Sequence, residues 1–199
     1  MANVDFPNGL KPVRHKDGTP YAGQHNLYYI PAADGTATFI GDAVSHAGTA
    51  GAAGTRIDGV DIEGMPAVIQ SAAGNSNIVG VVVGFYPRPD SLGTNHRPAS
   101  TAMIAMVADD QNLIFEIQED SDTCTLAAAE VGRNYDLVVG TGNATSGVSA
   151  MELDSSSGAT TTANLRLLRL VPRPNNAIGA QARWEVLILE HFDRTPTGV

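Results

Sequence analysis

The stretch that most restricts the possible fold is IVGVVVGF, at residues 78–85. It is apolar, rich in β-branched residues and free of charge, which is typical of a strand buried on both sides. The alternation of side chains along a strand predicts two unlike faces. One face carries the bulky side chains of Val79, Val81, Val83 and Phe85. The other face carries the smaller residues Gly80, Val82 and Gly84. Because glycine weakens a strand interior, the bare face indicates that another backbone or layer lies close to it.

The rest of the chain favours an all-β fold, because short apolar segments alternate with turns. The 199 residues include 21 Gly and 11 Pro, which supply those turns. We predict further strands over residues 36–44, 66–72, 101–108, 113–120, 135–139, 149–153, 165–171 and 184–192. Residues 66–72 and 78–85 are expected to form a hairpin, and residues 45–64 a loop. The best helix candidate is 126–131, one or two turns long.

The strand predicted at residues 113–120 has the clearest pattern of a half-buried strand. Leu113, Phe115 and Ile117 share the face expected to be buried. Glu116 and Gln118 alternate with them, so we expect both to point outward, on the opposite face.

Residues 1–35 differ from the rest of the chain, since four prolines exclude a long helix but large apolar side chains remain. An extended N-terminal arm, laid on its own domain or on a partner, explains both features. We therefore divide the chain into an arm at 1–35 and a single β-rich domain at 36–199, a compact β-barrel or β-sandwich with very little helix. On a partner, the arm would bind through Phe6, Leu10, Lys11, Val13, Arg14 and Tyr21.

Charge and cysteine content bound the function classes. The formal net charge of −9 and the scattering of the 12 basic residues argue against binding to nucleic acid or to an anionic membrane. No apolar run approaches the length of about 20 residues that a membrane span needs. The one cysteine, Cys124, cannot form an intrachain disulfide, and we expect a buried or half-buried thiol.

No residue pattern predicts catalysis, a cofactor or a metal. The five histidines show no metal-ligand spacing, and the segment at residues 140–145 lacks the third glycine of a dinucleotide loop and the lysine of a P-loop. Five acidic residues could gather near a strand end, namely Asp109, Asp110, Glu119, Asp120 and Asp122. The simplest interpretation of such a group is a solvated acidic rim.

The last predicted strand is apolar on both faces. Trp184, Val186 and Ile188 lie on one face, and Leu187 and Leu189 on the other. A second layer of the same chain or a neighbouring subunit must cover the exposed set. In the second case, Trp184, Val186 and Ile188 would form the interface of a homo-oligomer, with a trimer favoured and a dimer possible.

Six stretches, taken in order, resemble the capsid decoration (cement) proteins of tailed bacteriophages. They are MANVDFPNGLKPVRH, YYIPAADGTATFIGDAV, IVGVVVGF, RPASTA, VADDQNLIFEIQED and RWEVLILEH. The resemblance implies a β-rich, β-tulip-like protein on the outer surface of the virion capsid, assembled in the bacterial host cytoplasm. Its partner would be the major capsid protein, whose shell it would brace at threefold or twofold junctions against the pressure of packaged DNA. It implies no catalytic residue and no cofactor.

One alternative function remains, a carbohydrate- or receptor-binding β-sandwich on a virion or cell surface. Sugar binding would need exposed aromatic side chains, whereas the single tryptophan lies in an apolar strand.

Overall fold

The computed structural model describes residues 3–74 and 77–194. Strands account for 40% of the chain and helix for 3%, which confirms the all-β expectation. The strands of the described residues are β1 (Lys11–His15), β2 (Asn26–Ile30), β3 (Ala43–Ala50), β4 (Arg56–Ile57), β5 (Val60–Asp61), β6 (Pro66–Gln70), β7 (Ile78–Phe85), β8 (Met103–Ala108), β9 (Leu113–Gln118), β10 (Asn134–Tyr135), β11 (Leu137–Val138), β12 (Glu152–Leu153), β13 (Leu165–Leu170) and β14 (Arg183–Ile188). Short 3₁₀ turns occur at Ala128–Glu130 and Phe192–Arg194.

Most strands belong to a barrel or to a sheet beside it. The closed barrel has the strand order β2-β6-β3-β7-β8, and the five-stranded sheet has the order β1-β9-β14-β13-β10. All neighbours in the sheet are antiparallel. In the barrel, β2 closes the structure by pairing with β6 in parallel and with β8 antiparallel.

Two predicted local features of the barrel are wrong. Strands β6 and β7 do not form a hairpin, because β3 lies between them and pairs with both. β3 itself covers residues 43–50, so it begins at the end of the strand predicted at 36–44 and runs into the predicted loop at 45–64. Its small residues give little strand propensity, and pairing on both sides stabilises the strand instead.

The helix predicted at 126–131 is also wrong, since the structure has a single 3₁₀ turn at Ala128–Glu130. After this turn, the N–H of Gly132 donates to the carbonyl of Leu167 in β13. This hydrogen bond joins the chain to the sheet directly after the 3₁₀ turn, so no second helical turn follows.

Strand β7 is buried on both sides, as its sequence predicts, but its faces differ from simple alternation. Val79 and Val82 pack inside the barrel, and Ile78 and Val81 pack in the core shared with the five-stranded sheet. Irregular registers with β3 and β8 interrupt the two-residue period. Residues two apart therefore do not always share a face along this strand.

The predicted division at residue 35 does not match the structure. β1 is an edge strand of the five-stranded sheet and β2 is a barrel strand, so both belong to the body of the protein. Leu10 is buried in the core, and its N–H donates to the carbonyl of Gly41 at 2.9 Å. The segment that still lies on the surface is residues 3–8, which we call the N-terminal segment.

Candidate functional site

The N-terminal segment is fixed through its backbone to the end of the five-stranded sheet. The amide of Gln118 accepts from the N–H of Phe6 and donates to the carbonyl of Val4, both at 3.1 Å. Arg183 donates to the carbonyl of Phe6 at 2.6 Å, and Asn3 donates to the carbonyls of Ala177 and Ala180. Val4 and Phe6 nevertheless remain 75% and 58% exposed. Two apolar groups therefore project from a backbone that is held in place.

The six residues predicted to bind a capsid occupy different environments. Phe6 and Lys11 are exposed, while Val13, Arg14 and Tyr21 are half-buried. Leu10 cannot serve as an external anchor, because it lies in the core.

Basic side chains collect on the outer face of the five-stranded sheet, the side away from the core. Register places Lys11 opposite Glu116, Arg183 opposite Gln118 and Arg169 opposite Glu185 on this face. We define the arginine face by its charged and polar members, namely Lys11, Arg14, Glu116, Gln118, Arg166, Arg169, Arg173, Arg183 and Glu185. Glu116 and Gln118 point to this outer face, as predicted, but the expectation of a half-buried strand is wrong, because arginines and the N-terminal segment cover both side chains.

Each glutamate of the arginine face lies between two arginines. Arg169 binds Glu185 with two hydrogen bonds of 2.9 and 2.7 Å, and Arg14 binds the same carboxylate at 2.7 Å. Burial raises the pKa of Glu185, but the hydrogen bonds and charges of Arg169 and Arg14 outweigh it and lower the pKa overall. Glu116 is hydrogen-bonded to Arg173 and lies 3.5 Å from Nη1 of Arg183. Each carboxylate thus accepts from arginine and has more guanidinium groups than carboxylates around it.

A cleft of about 280 Å³ opens between the N-terminal segment and the arginine face. Val4, Phe6, Arg173 and Arg183 are among the residues that line it. An apolar surface and two guanidinium groups therefore meet in one concave site.

The residues predicted as an oligomer interface are core residues. Trp184, Val186 and Ile188 are all buried among the strands of the five-stranded sheet and the barrel. The indole N–H of Trp184 donates to buried Glu119 at 3.1 Å. The predicted interface is wrong, since the second layer that covers these side chains comes from the same chain. Trp184 is equally unable to stack on a sugar.

The acidic residues do not gather at one strand end. Asp109 and Asp110 precede β9 and bind Tyr28 and His15, respectively. Glu119, Asp120 and Asp122 follow the other end of the same strand. Asp120 and Asp122 instead lie near Glu152 and Asp5. Burial and the charges of Asp5, Asp120 and Asp122 raise the pKa of Glu152 to about 7.

Other chemically capable groups are dispersed. Residues 3–74 and 77–194 contain no cluster of three or more His, Cys, Asp or Glu side chains suited to hold a metal ion. Cys124 is exposed rather than buried, and its thiol donates to the carbonyl of Ser155 at 2.8 Å. None of the helices in these ranges is both long and apolar enough to cross a membrane.

Sequence reasoning missed the arginine face because its members are far apart in the chain. The available signal was the presence of two arginines, Arg166 and Arg169, among the leucines of β13, LRLLRL. Comparison of the chain with protein-family models, curated proteins and solved structures found no match.

Proposed function

We propose that the chain is a capsid decoration protein, which binds the outer surface of a major capsid protein shell and stabilises it against the pressure of packaged DNA. The resemblance of six stretches to such proteins, spread over nearly the whole chain, is the first support. The all-β body with an N-terminal segment on its surface is compatible with this structural role.

The observation that carries the proposal is the exposure of Val4 and Phe6 on a backbone that is already hydrogen-bonded in place. Burial of each side chain against a partner would contribute about 1.5–3 kcal/mol. Because the backbone is ordered before binding, less conformational entropy is lost on attachment. A rigid apolar projection of this kind suits lasting attachment to a protein surface.

Co-sedimentation with empty capsids, assembled from the major capsid protein that the proposal makes its partner, tests the proposal. We expect the wild-type protein to co-sediment and Val4→Ser/Phe6→Ser to bind at least about tenfold more weakly, which corresponds to about 1.4 kcal/mol. The matched control is Leu92→Ser/Val131→Ser, which removes two other exposed apolar side chains. A wild-type protein that stays in the supernatant at all concentrations would disprove the function.

The homo-oligomer remains a prediction, with a trimer favoured, although the interface first predicted for it is excluded. Several copies acting together would add avidity to the attachment of each subunit. Light scattering of the free protein, and of protein released from capsids, measures the oligomeric state. A monomer in both samples would contradict it.

A further inference from the structure

We propose that the arginine face, together with the cleft beside Val4 and Phe6, docks onto a carboxylate-rich protein surface. This inference rests on the proposed function, and under it the carboxylates belong to the outer surface of the capsid shell. The proposed docking surface includes β13, β14 and the segment after β13, in addition to the N-terminal residues that the sequence had already indicated.

The first support is the charge of the two arginine groups. Arg14 and Arg169 share Glu185, and Arg173 and Arg183 share Glu116, so each group carries one positive charge in excess. The chain as a whole has a formal net charge of −9. A cationic face on an otherwise acidic protein orients the molecule toward an acidic partner and raises the rate of encounter.

The second support is the accessibility of the guanidinium groups. The side chains of Glu116 and Glu185 are only 2% and 4% exposed, whereas those of Arg173 and Arg169 are 44% and 53% exposed. The buried glutamates hold each arginine in a fixed orientation and leave part of its planar donor fork at the surface. A preorganised fork suits bidentate binding of a carboxylate.

The chemistry of the face favours protein carboxylates over a nucleic-acid backbone. Binding along a phosphate backbone requires clustered lysines and arginines with little opposing charge. Here glutamates are interleaved with the arginines, so each pair of arginines keeps only one uncompensated charge. Val4 and Phe6 border the cleft and add the apolar contact area that protein interfaces place beside arginine.

The test compares Arg169→Gln/Arg173→Gln with Arg56→Gln/Arg88→Gln in co-sedimentation with empty capsids over a series of NaCl concentrations. Both variants change the net charge by the same amount, and the control arginines lie in β4 and in the loop after β7, away from the arginine face. In the test variant, Glu185 still has its ion pair with Arg14, and Glu116 still has its ion pair with Arg183. Arg173→Gln alone serves as a second variant if the double variant has a lower melting temperature.

We expect the test variant to bind at least about tenfold more weakly than wild type, with a shallower dependence on NaCl, and the control to bind like wild type. Equal binding by the two variants would overturn the docking surface and leave the proposed function intact. No binding by the wild type would remove both. Tighter binding of wild type to a 20-base-pair DNA duplex than to capsids, lost in the test variant, would identify the face as a nucleic-acid site and overturn the inference.

Discussion

Nη1 of Arg97 lies 3.0 Å from Oδ2 of Asp34, and the arginine side chain has no exposed surface. The remaining N–H groups of its guanidinium donate to four backbone carbonyls, those of Pro31, Asp34, Thr36 and Thr101. All five donors of an arginine are therefore satisfied by protein acceptors. This one side chain ties the connection between β2 and β3 to the segment that precedes β8.

Replacement of Arg97 is expected to destabilise the fold strongly. Arg97→Met keeps much of the side-chain volume but leaves Asp34 and the four carbonyls without their donor. Because a buried ion pair then loses one partner, we expect the free energy of unfolding to fall by about 3–5 kcal/mol. Urea unfolding monitored by the fluorescence of Trp184 measures the loss. The control Arg56→Met, at an exposed position in β4, should stay within about 0.5 kcal/mol of wild type. Equal effects of the two substitutions would show that the network around Arg97 contributes little.

Strand positions were more predictable from the sequence than strand pairing. β7 coincides with the apolar run at residues 78–85, and β6, β8, β9, β13 and β14 lie within or beside their predicted segments. Strand propensity is a local property, whereas the insertion of β3 between β6 and β7 depends on closure of the barrel. β3 itself was also not predictable as a strand over residues 43–50, because its stability comes from pairing with β6 and β7 rather than from its own residues.

The arginine face could not be predicted because two register shifts, of the kind that a β-bulge causes, change which residues share a face. Lys11 and Arg14 are three residues apart, so regular alternation would place them on opposite faces. An irregularity between Pro12 and Arg14 brings them to the same face. In β13, the register shift between Leu167 and Arg169 does the same for Arg166 and Arg169. A bulge depends on pairing geometry and leaves little trace in the sequence.

Within the N-terminal residues, the structure separates stability from attachment. Leu10→Ala should lower the free energy of unfolding by about 2–5 kcal/mol, because Leu10 is 1% exposed in the core. Phe6→Ala should change it by less than about 0.5 kcal/mol, because Phe6 is exposed. Urea unfolding of both variants checks this difference. A large loss with Phe6→Ala would mean that its side chain supports the fold rather than a partner interface.

The two glycines of β7 are expected to differ in their tolerance of a methyl group. A Cβ at position 80 would collide with the carbonyl oxygen of Ala108 and approach the Cα of Asp109 to 2.9 Å, so Gly80→Ala should cost about 1–3 kcal/mol. At position 84, the nearest atom would be the sulfur of Met106 at 3.5 Å, an ordinary contact. Gly84→Ala should therefore be neutral or slightly stabilising. Thermal unfolding of both variants provides the measurement, and equal melting temperatures would contradict the close approach at Gly80.

The raised pKa of Glu152 predicts a pH dependence of stability. Its pKa in the folded protein is about 7, because burial and the charges of Asp5, Asp120 and Asp122 disfavour the ionised form. The unfolded chain releases this proton near pH 4.5, so between about pH 4.5 and 7 the folded state binds more protons. Stability from this group is therefore complete below about pH 4.5 and is lost as the pH rises to about 7.

Glu152→Gln should consequently match wild type at pH 4 and be more stable at pH 8. Since Glu152 is only partly buried, water screens the repulsion, and we expect an increase of about 2–4 °C in melting temperature at pH 8, equivalent to about 1 kcal/mol. Glu63→Gln removes an exposed carboxylate from the β5–β6 connection of the barrel and controls for the change in net charge. Calorimetry of wild type and both variants at pH 4 and pH 8 measures the melting temperatures that test this expectation. The same offset at pH 4 and pH 8 would show that the effect of Gln at position 152 does not come from the titration of the carboxyl group.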